Sequence, residues 1–333
     1  MLDPWALRET IPLKGDDEVF LNDAGDLVAA RLEITAPMTG DIATLRTLIH
    51  NIPVTQVPLR LAGGLWDIMA SNSDRIVADA QHADLGTHVG KVENGATLLE
   101  RKRIFIGEES SIEPGVVLDA RQGPIIIADN VTVGANSVIR GPVFLDDGVV
   151  AKPLTRISAG TSIGRTCRVG GEIGESIMLP FSNKQHDGHL GHAVVGSWCN
   201  LGAGTTNSDL KNSYGTVSVT VNGERRDTGQ QFVGCLLGDH VKTGIGTMLT
   251  TGTIIGPVTN VYGVGLVPTV LPPFTWYNAS DETTTPYDLE KAFTVIERVM
   301  ARRNQQPTAG LREALRGVAA GTHPKKRRVD NSR

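Results

Sequence analysis

The stretch "IADNVTVGANSVIRGPVFLDDGVVAKPLTRISAGTSIGRTCRV", residues 127 to 169, decides the fold of this chain. In it an aliphatic or small residue recurs at every sixth position, namely at Ile127, Val133, Ile139, Leu145, Ala151, Ile157, Ile163 and Val169. Apolar residues recur about every three to four positions in an amphipathic helix and at alternate positions in a half-buried strand, so a sustained period of six fits neither element alone. The period is typical of a hexapeptide β-helix, in which each hexapeptide forms a short strand and a turn.

The same period extends to both sides of this stretch. A shorter run in another phase precedes it and a longer run follows it, at Ile106, Ile112, Leu118, Leu237, Thr243, Leu249, Ile255 and Val261. Each inward aliphatic side chain is expected to stabilise the stack by roughly 1.5 to 3 kcal/mol. The alternative fold, a β-sandwich with regular turns, would space its strands by about 8 to 12 residues, and the sequence does not favour it.

The hexads are interrupted once, between Val169 and Leu237. Only Leu190, Val195 and Leu201 keep near-hexad spacing there, and residues 208 to 232 indicate a loop or hairpin that turns at residues 221 to 224. Interruptions of a solenoid map to loops on one face, where binding sites usually form.

We therefore predict a mainly β protein with a parallel β-helix from about residue 101 to 265, in a domain at 101–270. Residues 1–100 are predicted to form an α/β segment, with a hairpin at 18–32 and helices at 41–50 and 66–80. A helical segment at 271–320 would contain a helix at 287–303. Residues 321–333, with the basic run "KKRR" at 325 to 328, are expected to be a solvated, disordered tail.

The composition excludes several classes of protein. A formal net charge of -4 argues against a general nucleic-acid binder. Three cysteines lie far apart without a CxxC pair, as is typical of a reducing compartment. No stretch reaches the roughly 18 apolar residues that a membrane span needs. We therefore expect a cytoplasmic protein without a membrane or nucleic-acid partner.

Three histidines stand at steps of three in the interruption: His186, His189 and His192. Three residues of extended strand span about 10 Å and alternate between faces, so one metal ion would reach all three only if the chain turned. Histidine has an unperturbed pKa of about 6.5, which suits a general base near neutral pH. A glycine-rich turn, Gly202 to Gly204, follows and would let backbone N–H groups approach an oxyanion closely.

The hexads, "HDGHLGHAVVGSWCNLGAGT" at 186 to 205 and "NSDLKNSYG" at 207 to 215 resemble a known family. They are similar to the acetyltransferase half of GlmU-like bifunctional enzymes, which acetylate glucosamine 1-phosphate and then uridylylate it. The resemblance covers about residues 55 to 265 and implies a left-handed β-helix, acetyl-CoA as co-substrate and a homotrimer with the 287–303 helix near the subunit contact. Residues 1–100 would then be the remnant of a nucleotidyltransferase-like domain, because a G-x-G-T-like phosphate loop is missing from the first 60 residues.

The resemblance also implies roles for individual residues. His186 matches the catalytic histidine of the family, His189 a tyrosine and Asn200 the asparagine before the GAGT motif. Arg156 would grip the phosphate of the sugar. A lysine of the family falls on Gly174 here, so its contact would be absent or supplied by Lys184. The remaining implied site residues are Asp209 and Lys211 for substrate and Ala203, Thr205 and Gly263 for acetyl-CoA.

Structural alternatives stay open for these residues. His186 could be a polar loop residue, Arg156 part of an ion pair and Asn200 an inward-facing asparagine. Two further functions also stay open. The chain could bind a sugar nucleotide without acetyl transfer, or it could be a zinc enzyme like the γ-class carbonic anhydrases, which are also hexapeptide proteins. The predicted function is N-acetylation of an amino sugar phosphate, with glucosamine 1-phosphate as the candidate and with no tightly bound metal.

Overall fold

The computed structural model of the protein describes residue 11 and residues 15–32, 49–59 and 61–322. The chain divides into two compact units, residues 1–68 and 69–333. The predicted basic tail and most of the predicted helix at 41–50 lie outside the described residues.

The first unit contains a three-stranded sheet. Strand Glu18–Leu21 lies in the middle, antiparallel to Leu27–Arg31 and parallel to Val54–Gln56. The predicted hairpin is therefore confirmed, and its turn includes Gly25 with a φ of 79°. Phe20 and Val57 are buried in a small core.

The second unit is built around a parallel β-helix with three faces. Its strands form three stacks, in which each strand pairs in parallel with the strand one coil earlier and one coil later. The first face consists of Lys91–Val92, Ser111–Ile112, Thr132–Val133, Val150–Ala151, Arg168–Val169, Asn183–Lys184, Asn200–Leu201, Lys242–Thr243, Asn260–Tyr262 and Thr275–Asn278. The antiparallel strand Thr283–Pro286 ends this face.

The other two faces follow the same order. The second face consists of Thr97–Leu99, Val117–Asp119, Val138–Arg140, Arg156–Ile157, Glu172–Gly174 and His189–Gly191, and beyond them Thr206–Asn207, Met248–Leu249 and Leu266–Val267. The third face consists of Ile104–Ile106, Ile125–Ile127, Val143–Leu145, Thr161–Ile163, Ile177–Met178, Val194–Val195, Cys235–Leu237, Thr253–Ile255 and Val270–Leu271. The coils thus begin before residue 101 and continue beyond residue 265.

The register confirms the hexapeptide period. Ile125 pairs with Val143 and Val143 with Thr161, so one coil of the regular part contains three hexapeptides. A coil of three equal hexapeptide sides is the geometry of the left-handed class, and the solenoid matches the predicted fold class. Every inward residue of the opening stretch is at most 1% exposed, because the coils above and below cover it.

The interruption in the hexads does not interrupt the coils. Between Val169 and Leu201 the inward positions are taken by Ile173, Met178, Lys184, Leu190 and Val195, at steps of four to six residues. Shortened turns and one inward lysine therefore hid the repeat in the sequence. The only large insertion into these coils is residues 208–234, which carries the antiparallel hairpin Ser218–Val221 and Glu224–Asp227. Its turn residues Asn222 and Gly223 both have positive φ, so the predicted hairpin is confirmed.

The described part of the chain contains four helices. The predicted helix at 66–80 is present as two helices, α1 (Leu65–Ala70) and α2 (Asn72–Asp79), followed by a 3-10 turn at Ala80–His82. The predicted helix at 287–303 is α3 (Leu289–Ala301), and α4 (Ala309–Thr322) follows it. The Asp288 carboxylate caps α3 by accepting a hydrogen bond from the Lys291 amide at 2.9 Å. A second 3-10 turn, Arg101–Arg103, precedes the third face.

Helices α3 and α4 cover the corner between the third and first faces. Phe293, Ile296 and Met300 of α3 and Leu315 of α4 pack with corner residues of the coils in one apolar cluster. These corner residues are Trp198, Val258 and Phe274, all with positive φ. The amphipathic face of α3 therefore contacts the coils of its own chain, and no described helix is long and apolar enough to cross a membrane.

Candidate active site

A row of charged side chains crosses the outer surface of the second face. Arg156, Glu172 and His189 occupy equivalent positions in three consecutive coils, so the parallel register stacks them. Arg156 Nη2 lies 2.6 Å from Glu172 Oε2, and His189 Nδ1 lies 3.8 Å from Glu172 Oε1. The strands thus fix an arginine, a carboxylate and an imidazole side by side.

Asp209 joins this row to a second histidine. Its Oδ2 lies 2.8 Å from His192 Nδ1 and 3.5 Å from His189 Nε2. These two contacts hold the pKa of the Asp209 carboxyl well below its usual range, although partial burial opposes the shift. The contact with Asp209 is also the main reason that the pKa of His189 is raised. Asp209 is therefore a permanent anion between two imidazoles at neutral pH.

The local backbone explains why His192 faces Asp209. His192 lies at a corner of the coil with a φ of 46°, and its amide donates to the Gly174 carbonyl of the preceding coil. Phe232, from the inserted loop, stacks on its imidazole at 5.0 Å. Because Nδ1 faces a carboxylate, the proton of the neutral ring is held there, which leaves Nε2 as a proton acceptor.

The other predicted residues of this region lie apart from the cluster. The His186 side chain is exposed and contacts no hydrogen-bonding group in the described part of the chain. Asn200 is exposed on the first face, not inward, and pairs in register with Asn183 and Lys242. Lys211 Nζ donates to the carbonyl of Thr216 in the inserted loop. Of the predicted catalytic residues, His189 is the one that the fold brings to Arg156 and Asp209.

Lys184 lies inside the coil, which differs from the expectation that it offers its charge to a phosphate. Its side chain fills an inward hexad position and is 2% exposed. Nζ donates to the carbonyl oxygens of His186 at 2.6 Å and Gly170 at 3.1 Å. Burial lowers its pKa to about 8. Two carbonyl partners allow an ammonium group at an inward position of the first face that is aliphatic in most coils, and they fix the backbone at His186.

The glycine-rich turn has fewer free donors than the sequence predicted. The amides of Gly202 and Gly204 donate to the carbonyls of Thr243 and Asp187, each at 3.1 Å, so the coil itself uses these expected oxyanion donors. The Ala203 amide between them makes no backbone hydrogen bond in the described chain. Ala203 and Gly263 are partly exposed at the corner between the first and second faces. Thr205 is 2% exposed, and its hydroxyl pairs with that of Thr243 at 2.7 Å.

Sequence reasoning missed Glu172, Phe232 and Asn207. Glu172 follows Arg156 by one shortened coil, so a strict period of 18 residues does not point to it. Phe232 comes from the insertion, whose return point has no periodic signal. Asn207 takes an inward position and bridges to Gly191 through two hydrogen bonds of 2.9 Å, which holds the coil below His192. The alternation of inward and outward residues after Leu201 was the available signal for Asn207.

The described residues contain no group of three His, Cys, Asp or Glu side chains placed to hold a metal ion. The three cysteines, Cys167, Cys199 and Cys235, are unbridged and buried in the coil core. Burial raises the pKa of each thiol to about 12, so they act as small apolar side chains.

Comparison with known proteins agrees with the resemblance in the sequence. No family model matches the chain. A bifunctional sugar-1-phosphate nucleotidylyltransferase/acetyltransferase of Sulfurisphaera tokodaii is 29% identical over 161 residues, which is 48% of this chain and 39% of that protein. Bifunctional protein GlmU of Ralstonia pickettii is 28% identical over 241 residues, 65% of this chain and 53% of that protein. GlmU of Methanococcus aeolicus is 31% identical over 144 residues, 37% and 35% of the two chains.

Two of the solved structures that the chain matches are acyltransferases. The UDP-N-acetylglucosamine acyltransferase of Francisella novicida matches 69% of this chain and 77% of its own, at 14% identity and a TM-score of 0.32. AntD, an N-acyltransferase of Bacillus cereus solved with dTDP and 3-hydroxybutyryl-CoA, matches 68% and 96%, at 14% identity and a TM-score of 0.24. The strand pairing and register of the chain itself establish its solenoid fold.

The chain spans about half, or less, of the length of the curated relatives named above. Over the matched residues these relatives are 28 to 31% identical to the chain. The chain is thus similar to bifunctional sugar-1-phosphate nucleotidyltransferase/acetyltransferase proteins of the GlmU type, as its hexads and the stretch at 186 to 205 predicted.

Proposed function

We propose that this protein is a CoA-dependent acyltransferase that acetylates the amine of an amino sugar phosphate, with glucosamine 1-phosphate as the candidate substrate. In the reaction the amine nitrogen attacks the thioester carbonyl, the carbon–sulfur bond breaks and CoA leaves as its thiol. The amine must first lose a proton, since the ammonium form has no lone pair to attack with. A correctly placed imidazole would accept this proton.

The observation that carries the proposal is the carboxylate–imidazole cluster beside Arg156. Asp209 orients His192 at 2.8 Å, as a carboxylate orients the base of a hydrolytic triad, and Nε2 is left to accept a proton. His189 and Glu172 continue the cluster toward Arg156. The similarity to bifunctional acetyltransferases supports acetyl-CoA as donor. The Ala203 amide, which lies at the coil corner beside His186, is the candidate donor to the oxyanion for a base at that corner.

Two histidines compete for the role of base. The resemblance implies His186, and the geometry within one chain favours His192, because Asp209 fixes its tautomer. His186 at an exposed corner would need partners from a neighbouring subunit. Such a shared site agrees with the predicted homotrimer, which stays a prediction.

The test is release of free thiol from acetyl-CoA against a panel of amino sugar phosphates, followed by single alanine variants of the three histidines. General-base catalysis contributes about 10²- to 10⁴-fold, so loss of the base should lower kcat by that factor with little change in the affinity for CoA. His50→Ala, an exposed histidine of the first unit, is the matched control. Full turnover in all three histidine variants would exclude imidazole as the base.

The second candidate function is binding of a sugar nucleotide without acetyl transfer. Arg156 is already paired with Glu172, and Lys184 is inside the coil, so two expected phosphate contacts are engaged. If the parent protein releases no thiol with any amino sugar phosphate but binds UDP-N-acetylglucosamine, the binding function replaces the enzyme.

A further inference from the structure

A basic cleft lies on the opposite side of the coils from the second face, where the third and first faces meet. A cavity of about 720 Å³ opens there between the coil and the residues that follow α3. Arg165 of the coil and Arg302 and Arg303 of the α3 end line it, together with Thr166 and Phe181. The candidate active site uses none of these residues.

The arginines of this cleft are crowded and sparsely neutralised. Partial burial lowers the pKa of Arg303, and repulsion from Arg168 and Arg302 lowers it further. Arg165 Nε lies 3.9 Å from Asp146 Oδ2, which is the one described carboxylate within ion-pair distance of these four side chains. Arg303 Nη2 donates to the neutral amide oxygen of Asn183 at 3.2 Å. Three arginines that line the cavity, with Arg168 close enough to repel Arg303 and with one distant anion, form a site for a multiply charged anion.

A helix end explains only part of this cluster. Cations at the C-terminus of α3 interact favourably with the helix dipole, which accounts for Arg302 and Arg303. Arg165 and Arg168 belong to the coil and not to the last turn of α3, so the helix dipole does not account for them. The convergence of two elements on one cavity therefore indicates a ligand.

An aromatic ring that lines the cleft, Phe181, indicates a second property of the ligand, a planar ring. Corner residues of successive coils stack as a ladder, with Phe181 on Trp198 at 4.2 Å and 2° and Trp198 on His240 at 6.3 Å and 6°. The ladder ends at Phe181, because the corner of the preceding coil holds the small Thr166. One face of the Phe181 ring is covered by Trp198, and the ring also lines the cavity. A planar ring placed above Thr166 would continue the ladder.

We propose that this cleft binds a nucleoside phosphate. Its phosphates would lie among Arg165, Arg168, Arg302 and Arg303, and its base would stack on the open face of Phe181. Base–aromatic stacking and arginine–phosphate pairs are the contacts that such a ligand makes in proteins. Two ligands carry both a base and two phosphates: a free nucleoside diphosphate and the adenosine 3′,5′-diphosphate part of CoA. The proposal does not depend on acyl transfer.

Isothermal titration of the full chain with ADP, adenosine 3′,5′-diphosphate, inorganic pyrophosphate and adenosine tests the site. We expect at least one of the two nucleotides to bind more tightly than pyrophosphate or adenosine. R168A/R302A should weaken that binding by about tenfold or more, because charge-assisted hydrogen bonds to phosphate are lost. R225A/R226A on the exposed hairpin removes the same charge elsewhere and should leave the affinity unchanged. Which nucleotide binds distinguishes the two ligands.

Phe181→Leu separates stacking from charge. This variant should weaken nucleotide binding and leave pyrophosphate binding as in the parent. Thermal unfolding of each variant shows whether the ladder still folds, and R168A/R302A tests the site even if Phe181→Leu unfolds. The proposal is overturned if neither nucleotide binds at millimolar concentration, if R168A/R302A binds as tightly as the parent, or if pyrophosphate binds as tightly as the nucleotide.

Discussion

His192 and His240 occupy the same kind of backbone position and have opposite surroundings. Both lie at coil corners with positive φ, 46° and 61°. The His192 side chain is 26% exposed, pairs with Asp209 and stacks on Phe232. His240 is 1% exposed, stacks on Trp198, and neither of its ring nitrogens has a hydrogen-bond partner in the described chain.

The difference comes from what covers each corner. An inserted polar loop brings Asp209 and Phe232 to His192, whereas the apolar faces of α3 and α4 close over the ladder that contains His240. Burial lowers the pKa of His240 to about 3, so this ring is neutral in the folded protein. The same coil geometry thus leaves the His192 ring partly exposed beside a carboxylate and buries the His240 ring in the core.

The largest expected effect on stability is at the corner of Trp198, which α3 and α4 cover. Trp198→Ala removes a ring that is 8% exposed and stacked on both sides, so it should lower the free energy of unfolding by about 3 to 5 kcal/mol. Denaturant unfolding measures this loss. Tyr214→Ala, which removes an aromatic ring that is 68% exposed, should change stability by less than about 0.5 kcal/mol. Similar losses in the two variants would mean that the ladder is not a core.

The second prediction concerns the pH dependence of stability at His240. Its folded pKa, about 3, lies below the unfolded value of about 6.5, so below pH 6.5 the unfolded chain takes up a proton that the folded chain does not. Stability should therefore fall by about 1.4 kcal/mol for each pH unit between 6.5 and 3, or about 2 kcal/mol at pH 5. Above pH 6.5 this contribution vanishes.

His240→Phe keeps a ring in the ladder and removes the titration. Urea unfolding at pH 7.5 and pH 5 should show a smaller loss for this variant than for the parent, by about 2 kcal/mol. His50→Phe, at an exposed position, should retain the loss of the parent. An unchanged pH dependence in His240→Phe would show that His240 is protonated in the folded state.

A smaller effect is expected where α3 begins. Asp288→Ala removes the N-cap of the helix that covers the ladder and should lower the free energy of unfolding by about 1 kcal/mol. Lys291→Ala, in the same turn but exposed, should change it by less than about 0.5 kcal/mol. Thermal or denaturant unfolding distinguishes the two. If Asp288→Ala equals Lys291→Ala, the cap contributes nothing and α3 is held by its apolar face alone.

The sequence predicted the solenoid well because the regular coils repeat an apolar residue that must face inward. It predicted less between Val169 and Leu237, where coils are shortened and Lys184 takes an inward position with two carbonyl partners. A lysine in a polar stretch gives no sign that a coil will surround it. Spacing along the chain cannot show such burial, because it depends on the neighbouring coils.

The candidate site could be predicted only in part for the same reason. The approximate region was indicated by the interruption and the histidines, and Arg156, His189 and Asp209 do lie together. Their actual partners, Glu172 and Phe232, depend on coil length and on where the insertion returns to the face. The role of each residue in catalysis stays a prediction, as do the homotrimer, the nucleotidyltransferase-like origin of residues 1–100 and the domain limits that follow from it.

The smallest expected effect on stability is at the exposed corner of His192 and Asp209, where we expect a clear change in the pKa of His189. Asp209→Asn removes the anion that raises the pKa of His189, so this pKa should fall, and His192 loses the carboxylate that fixes its tautomer. The free energy of unfolding should change by less than about 1 kcal/mol, because the partners are partly solvated. Histidine Cε1–H chemical shifts, followed against pH by NMR, measure the pKa, and Asp23→Asn on the exposed hairpin turn is the control. If the His189 pKa stays raised in Asp209→Asn, Glu172 causes the shift. The charge of His189 would then depend on its neighbour in the second face and not on the inserted loop.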